Sequence, residues 1–146
     1  ATSGTDWQLF RYAEILLNYA EAAIELGRNA DALDAVNQVR ARAGIAPLTT
    51  IDREKVRQER KVELPFEGHR YWDLRRWRIA VDVLSQTHSG LRYIQDFATG
   101  KYKLELIEKI DGTSSTPVFF QRNYYLPITT ARTGNNPNLV ENPGYK

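Results

Sequence analysis

The sequence predicts a mainly α fold: a tetratricopeptide-like helical scaffold over about residues 9–84, then a small β-hairpin and a long irregular C-terminal segment over about 86–146. Three observations lead there. Apolar residues recur at three- and four-residue steps through the first half of the chain. Single glycines stand where such runs stop. Beyond Gln86 the period fades into partial alternation and then into Asn- and Pro-rich sequence.

The first helix runs from about Leu9 to Leu26. Leu9, Tyr12 with Ala13, Leu16, Tyr19 with Ala20, Ala23 and Leu26 trace one face, expected to be buried, and Gly27 supplies the stop. The second runs from about Asp31 to Ala43, with Asn29 a candidate cap and Ala32, Ala35, Val36, Val39 and Ala43 on its apolar side. The short link makes the two an antiparallel pair. Tyr19, Ala22, Ala23, Leu26, Ala35, Val39 and Pro47 fall at tetratricopeptide intervals, with small residues where the helices approach. No second copy follows, so one such unit needs other chain to cover its apolar face.

A third, highly charged helix is expected from about Ile51 or Asp52 to Glu67, and a fourth from His69 to about Leu84 with Tyr71, Trp72 and Trp77 at core spacing. Tyr102, Leu104, Leu106 and Ile110 suggest one strand, Asp111–Ser115 a turn, and 118–128 a second extended segment. The tail from Thr129 onward has loop composition, with Leu139, Val140 and Tyr145 available to tie it down.

Composition bounds the function. With 146 residues the chain is the size of a single domain, 1–146, and 20 basic against 18 acidic residues argue against a general grip on nucleic acid. Cysteine is absent, which removes disulfides, thiol chemistry and the commonest structural zinc sites. Methionine is absent too, and the N-terminus shows no targeting pattern, so the chain reads as a fragment of something longer.

The densest feature is 57–77. Glu59, Glu63 and Glu67 are four apart and share a stripe that Arg60 joins, with Arg70, Arg75 and Arg76 on the next helix. Two neighbouring carboxylates could serve glycoside hydrolysis, with Glu59 and Glu63 as the pair. The crowd of guanidiniums speaks against it, because cations lower carboxylate pKa values while a catalytic acid needs its own raised. The stripe is therefore expected to be a structural ionic clasp across Gly68, fixing the angle between the third and fourth helices. No catalytic, metal or cofactor-binding residues are expected: His69 and His88 lack metal-ligand spacing, and no phosphate loop or serine elbow occurs. Trp7, Tyr93, Phe97, Tyr102 and Tyr124 lie in or near irregular sequence, where aromatics suited to sugar stacking tend to be displayed.

Residues 9–22, LFRYAEILLNYAEA, resemble the R-Y-A-E-x-L-L-x-Y-A-E-A signature of the SusD/RagB family. Residues 59–77, ERKVELPFEGHRYWDLRRW, are similar to its E-R-x-x-E-L-x-F-E-G-x-R-x-x-D-L-x-R-W block. Tyr125-Leu126-Pro127-Ile128 and 136–145 resemble its Y-x-P-I-P and N-P-x-L-x-Q-N-P-G-Y endings, with Thr129 in place of Pro and Glu141 in place of Gln. The resemblance implies the C-terminal portion of an outer-membrane nutrient-binding lipoprotein of Bacteroidetes-type bacteria, built on an alpha-alpha superhelix. It further implies a surface-exposed, non-catalytic protein that binds an oligosaccharide or polysaccharide and partners a SusC-like TonB-dependent transporter. Such a protein would meet the membrane only through a lipid anchor outside this fragment. Ligand contacts would lie mainly in the missing N-terminal part, so no ligand-binding residue is assigned. The alternative is a generic tetratricopeptide-like protein–protein interaction domain.

Overall fold

The computed structural model of the chain describes residues 9–108, 117–136 and 138–145. It divides into two compact units, residues 1–70 and 71–146.

The first unit is built on α1 (Tyr12–Glu25), α2 (Asn29–Arg42) and α3 (Arg53–Glu63). Helices α1 and α2 both close through the same motif. Gly27 and Gly44 take left-handed φ values of 72° and 71°, and the next amide reaches back five residues, Arg28 N to Ala23 O and Ile45 N to Arg40 O. Ala20, Ala23, Ala32 and Ala35 are buried where α1 and α2 pack, and small side chains let the backbones come close. Leu17, Val36, Val39 and Val56 fill the rest of that core, each contributing about 1.5–3 kcal/mol of transfer free energy.

The buried face of α1 is narrower than its apolar pattern. Ala13, Leu17, Ala20 and Ala23 are inside, whereas Leu9, Tyr12, Tyr19 and Leu26, expected in the core, are exposed. Apolar residues cover more of α1 than α2 and α3 occupy, so the pattern alone could not separate the two faces. In α2 the core residues are those expected, except that Ala43 is the exposed C-cap.

Asp52 caps α3, accepting from the Lys55 amide at 2.8 Å. The helix ends at Glu63, four residues before its expected limit. Pro65 disfavours helical geometry at Leu64 and brings no amide hydrogen. Phe66 and Gly68 then turn the chain with φ values of 63° and 80°.

The expected fourth helix is two helices, α4 (His69–Arg76) and α5 (Ala80–Leu84). The break is a third instance of the same closing motif. Arg78 N bonds Arg75 O, Ile79 N bonds Leu74 O, and Arg78 takes φ 59° where glycine is usual. Its guanidinium lies over the rings of Tyr124 and Tyr125, 4.9 and 5.1 Å from their centroids, and this attraction offsets the backbone cost. Tyr71 and Trp72, expected in the core, are exposed, Trp72 by 60%.

The second unit's core is Leu74, Ala80, Phe119 and Tyr124. Its sheet has two strands, β1 (Gly90–Gln95) antiparallel to β2 (Tyr102–Ile107). The hairpin therefore uses 90–107, and the expected second strand over 118–128 is instead irregular chain and a 3-10 turn at Gln121–Tyr124. The overlooked cue was the turn: the Asp96 carboxylate binds Ala98 N and Thr99 Oγ1, and Gly100 adopts φ 68°. The turn expected at 111–115 lies outside the described residues. A short helix α6 (Thr130–Asn135) precedes the tail.

Candidate functional site

The charged stripe of α3 meets cations and hydrogen-bond donors from α1 and α2. Starting at the helix N-terminus, Arg53 holds Glu25 through two bonds of 2.6 Å. Two turns on, Arg60 is buried, donating to Asn18 Oδ1 at 2.6 Å and lying 3.9 Å from Glu21. Beside it the buried Glu59 accepts from Arg40 Nη1 at 2.8 Å, while Arg40 Nε is fixed by the Ala46 carbonyl at 2.9 Å.

The tightest group lies at the far end. Glu63, whose side chain is 9% exposed, receives Arg11 Nη1 at 2.5 Å and Arg42 Nη2 at 2.7 Å on the same oxygen. Arg11 also donates to the Glu63 carbonyl and binds both carboxylate oxygens of Glu67, at 2.9 Å to Oε2 and 2.8 Å to Oε1. The hydrogen bond from Arg11 holds the Glu67 carboxyl below its ordinary range, and the same bond is the largest cause raising the Arg11 guanidinium above its own. His69 Nε2 sits 3.7 Å from Glu14 Oε2 at the edge of this group.

Of the seven predicted clasp residues, Glu59, Arg60, Glu63 and Glu67 lie in this ladder. Arg70 is half-buried in α4 and is not among the ladder's described partners. Arg75 donates to the Tyr124 carbonyl at 2.9 Å and lies over the Tyr71 and Trp72 rings. Arg76 pairs with Asp73 three residues before it, at 2.9 Å. The described bonds thus tie α3 to α1 and α2. Pro65 ends α3 before Glu67, which leaves that carboxylate free to turn back toward Arg11. Sequence reasoning missed Arg11, Arg40 and Arg42; the signal was that Arg11 opens the first family block and the other two occupy the last turn of α2.

The arrangement binds α3 to α1 and α2 through arginine–carboxylate bonds. A catalytic acid needs a proton held in an apolar setting, yet Glu59, Glu63 and Glu67 each accept from a guanidinium. Among the described residues no group of three or more His, Cys, Asp or Glu could hold a metal ion, and no helix is long and apolar enough to cross a membrane.

The tail is held by polar bonds more than by aliphatic contacts. Glu141 Oε1 accepts from the Ile128 and Asn142 amides, both at 2.8 Å, and a Gln there would offer the same oxygen. Asn142 donates to Leu126 O at 2.7 Å, and Tyr145 Oη to Tyr125 O at 3.0 Å. Val140, expected to anchor the tail, is exposed. Of the aromatics expected on display, Tyr93, Phe97 and Tyr102 are exposed, Tyr124 is buried, and Trp7 lies outside the described residues.

A tetratricopeptide-like helical pair braced by an ionic ladder, together with a unit that carries a two-stranded hairpin, defines a mainly helical fold. The sequence model of the SusD family matches residues 1–145, and the chain belongs to that family. It is 32% identical over 143 residues to the starch-binding protein SusD of Bacteroides thetaiotaomicron, covering 97% of this chain and 22% of that protein. A solved SusD-like protein from Bacteroides fragilis superposes with TM-score 0.79 at 35% identity, over 95% of this chain and 26% of the other. Surface glycan-binding protein A from Bacteroides uniformis matches with TM-score 0.64 at 29% identity, over 96% of this chain and 28% of the other. The chain thus spans about a quarter of the length of the relatives it matches.

Proposed function

We propose that this chain is part of a non-catalytic glycan-binding protein on the bacterial outer membrane. There it hands oligosaccharide to a TonB-dependent transporter and is held to the membrane by a lipid anchor outside residues 1–146. The observation that carries this reading is the family match over nearly the whole chain, with relatives named as starch-binding and surface glycan-binding proteins. The ladder supports it, since its carboxylates are engaged by arginines. In this reading Glu59, Arg60, Glu63 and Glu67 are scaffold. Protein docking is the second reading, favoured by Tyr12, Ile15, Tyr19 and Leu26, which leave one side of α1 apolar and exposed.

Affinity electrophoresis in native gels containing single polysaccharides tests the proposal. Retardation by at least one of them, relative to a gel without polysaccharide, is the expected result. Unchanged mobility in every gel overturns the reading for this chain.

A further inference from the structure

The β1–β2 register sorts the hairpin's side chains by charge. Leu91 faces Leu106, Tyr93 faces Leu104 and Gln95 faces Tyr102, so one side of the sheet carries no charge. Arg92, Glu105 and Lys103 all fall on the other side. The burial runs opposite to expectation. The half-buried positions are Gly90, Glu105 and Ile107, all on the charged side, while every residue of the uncharged side is exposed. Tyr93 is 66% and Tyr102 64% accessible. Antiparallel hairpins commonly turn their apolar face toward a core, and within residues 1–146 the described chain leaves this one uncovered.

The turn locks this orientation. A one-residue slip would move the tyrosines to the other face, but Asp96 N bonds Lys101 O, Gly100 N bonds Asp96 O, and the Asp96 side chain is spent on Ala98 and Thr99. The same turn holds Phe97, 89% exposed, at the tip.

We propose that the tip half of this face, Tyr93, Gln95, Tyr102 and Phe97, is a binding site for a neutral oligosaccharide chain. The inference rests on the glycan-binding reading above and gives it a site within these residues. A face without charge, backed by one that holds all the charge, suits a neutral ligand better than an acidic or basic one. Tyr93 and Tyr102 are diagonal neighbours across the strands, roughly 7–8 Å apart. That register puts the two tyrosines side by side on one face, at a spacing that suits successive sugars. Their hydroxyls and the Gln95 amide supply donors and acceptors at the ring edges, as a ligand with alternating C–H and hydroxyl surface requires. Leu91 and Leu106 close the row at the base of the hairpin.

The test uses the 146-residue chain in native gels containing soluble starch, a neutral β-glucan or a galactomannan. Tyr93→Ala/Tyr102→Ala should weaken binding about tenfold or more, the loss of two stacked rings. Tyr93→Phe/Tyr102→Phe, which keeps the rings and the hairpin, should retain most of it, and Arg92→Ala on the opposite face should bind as the parent does. Wild-type retardation with an unaffected alanine variant overturns this site while leaving the glycan-binding reading intact. No retardation of the wild type overturns both. Loss of binding in the phenylalanine variant equal to that in the alanine variant overturns the stacking role. Self-association that the alanine variant abolishes, without any change in retardation, assigns the face to a protein contact and overturns the proposal.

Discussion

Replacing Glu63 with alanine removes the carboxylate that Arg11 and Arg42 share. The Arg11 bond, 2.5 Å long and with only 9% of the Glu63 side chain exposed, is a charge-assisted hydrogen bond worth about 1.5–3 kcal/mol. The Arg42 bond adds little, because Arg42 is largely exposed and screened. Stranding a fully buried charge costs about 3–5 kcal/mol, but Arg11 keeps Glu67, so the loss stays at the lower figure. An expected destabilisation of about 2–3 kcal/mol lowers the melting temperature by roughly 5–10 °C in a chain of this size. Circular dichroism melts of Glu63→Ala beside Arg53→Ala provide the contrast, since the Arg53–Glu25 pair is solvent-exposed and should contribute almost nothing. Equal melting temperatures for the two variants would refute the view that the far end of the ladder fastens α3 to α1.

Two further outcomes follow from the same geometry. Glu67 has its folded-state pKa depressed by Arg11, so its contribution is present above the ordinary glutamate pKa of about 4.3 and is lost as pH falls through the lower folded value. Denaturant midpoints measured below about pH 4.5 should therefore fall less steeply in Glu67→Gln than in the parent. Gly144 sits at φ 86° and an added Cβ would lie 2.8 Å from Arg122 Cβ, so Gly144→Ala should raise hydrogen exchange at the Tyr145 and Asn142 amides while α1–α3 amides keep their protection.

Much of the architecture was legible because helix periodicity is local. The α1–α2 pair, its glycine stops and its buried alanines follow from spacing alone. The ends of α3 and α4 were harder, for different reasons. Pro65 was visible, but a long charged pattern outweighed it. Arg78 in a left-handed position looks like any helical arginine, and its compensation comes from Tyr124 and Tyr125, more than forty residues away. Strand pairing failed likewise: Leu104 and Leu106 pointed to a strand, but its partner depended on a turn built by the Asp96 side chain. The stripe of glutamates was plain at four-residue spacing. Their partners were not, because Arg11 and Arg42 come from elements 52 and 21 residues away, a distance that only packing can close.

The proposal at the centre is that Glu59 and Glu63, each held by arginine, are scaffold in a protein that binds glycans without cutting them. Reducing-sugar release, measured on whichever polysaccharide retards the chain, tests it most directly. The account predicts none above the blank, for the parent and for Glu59→Gln and Glu63→Gln alike. Release by the parent that disappears in either variant would contradict it.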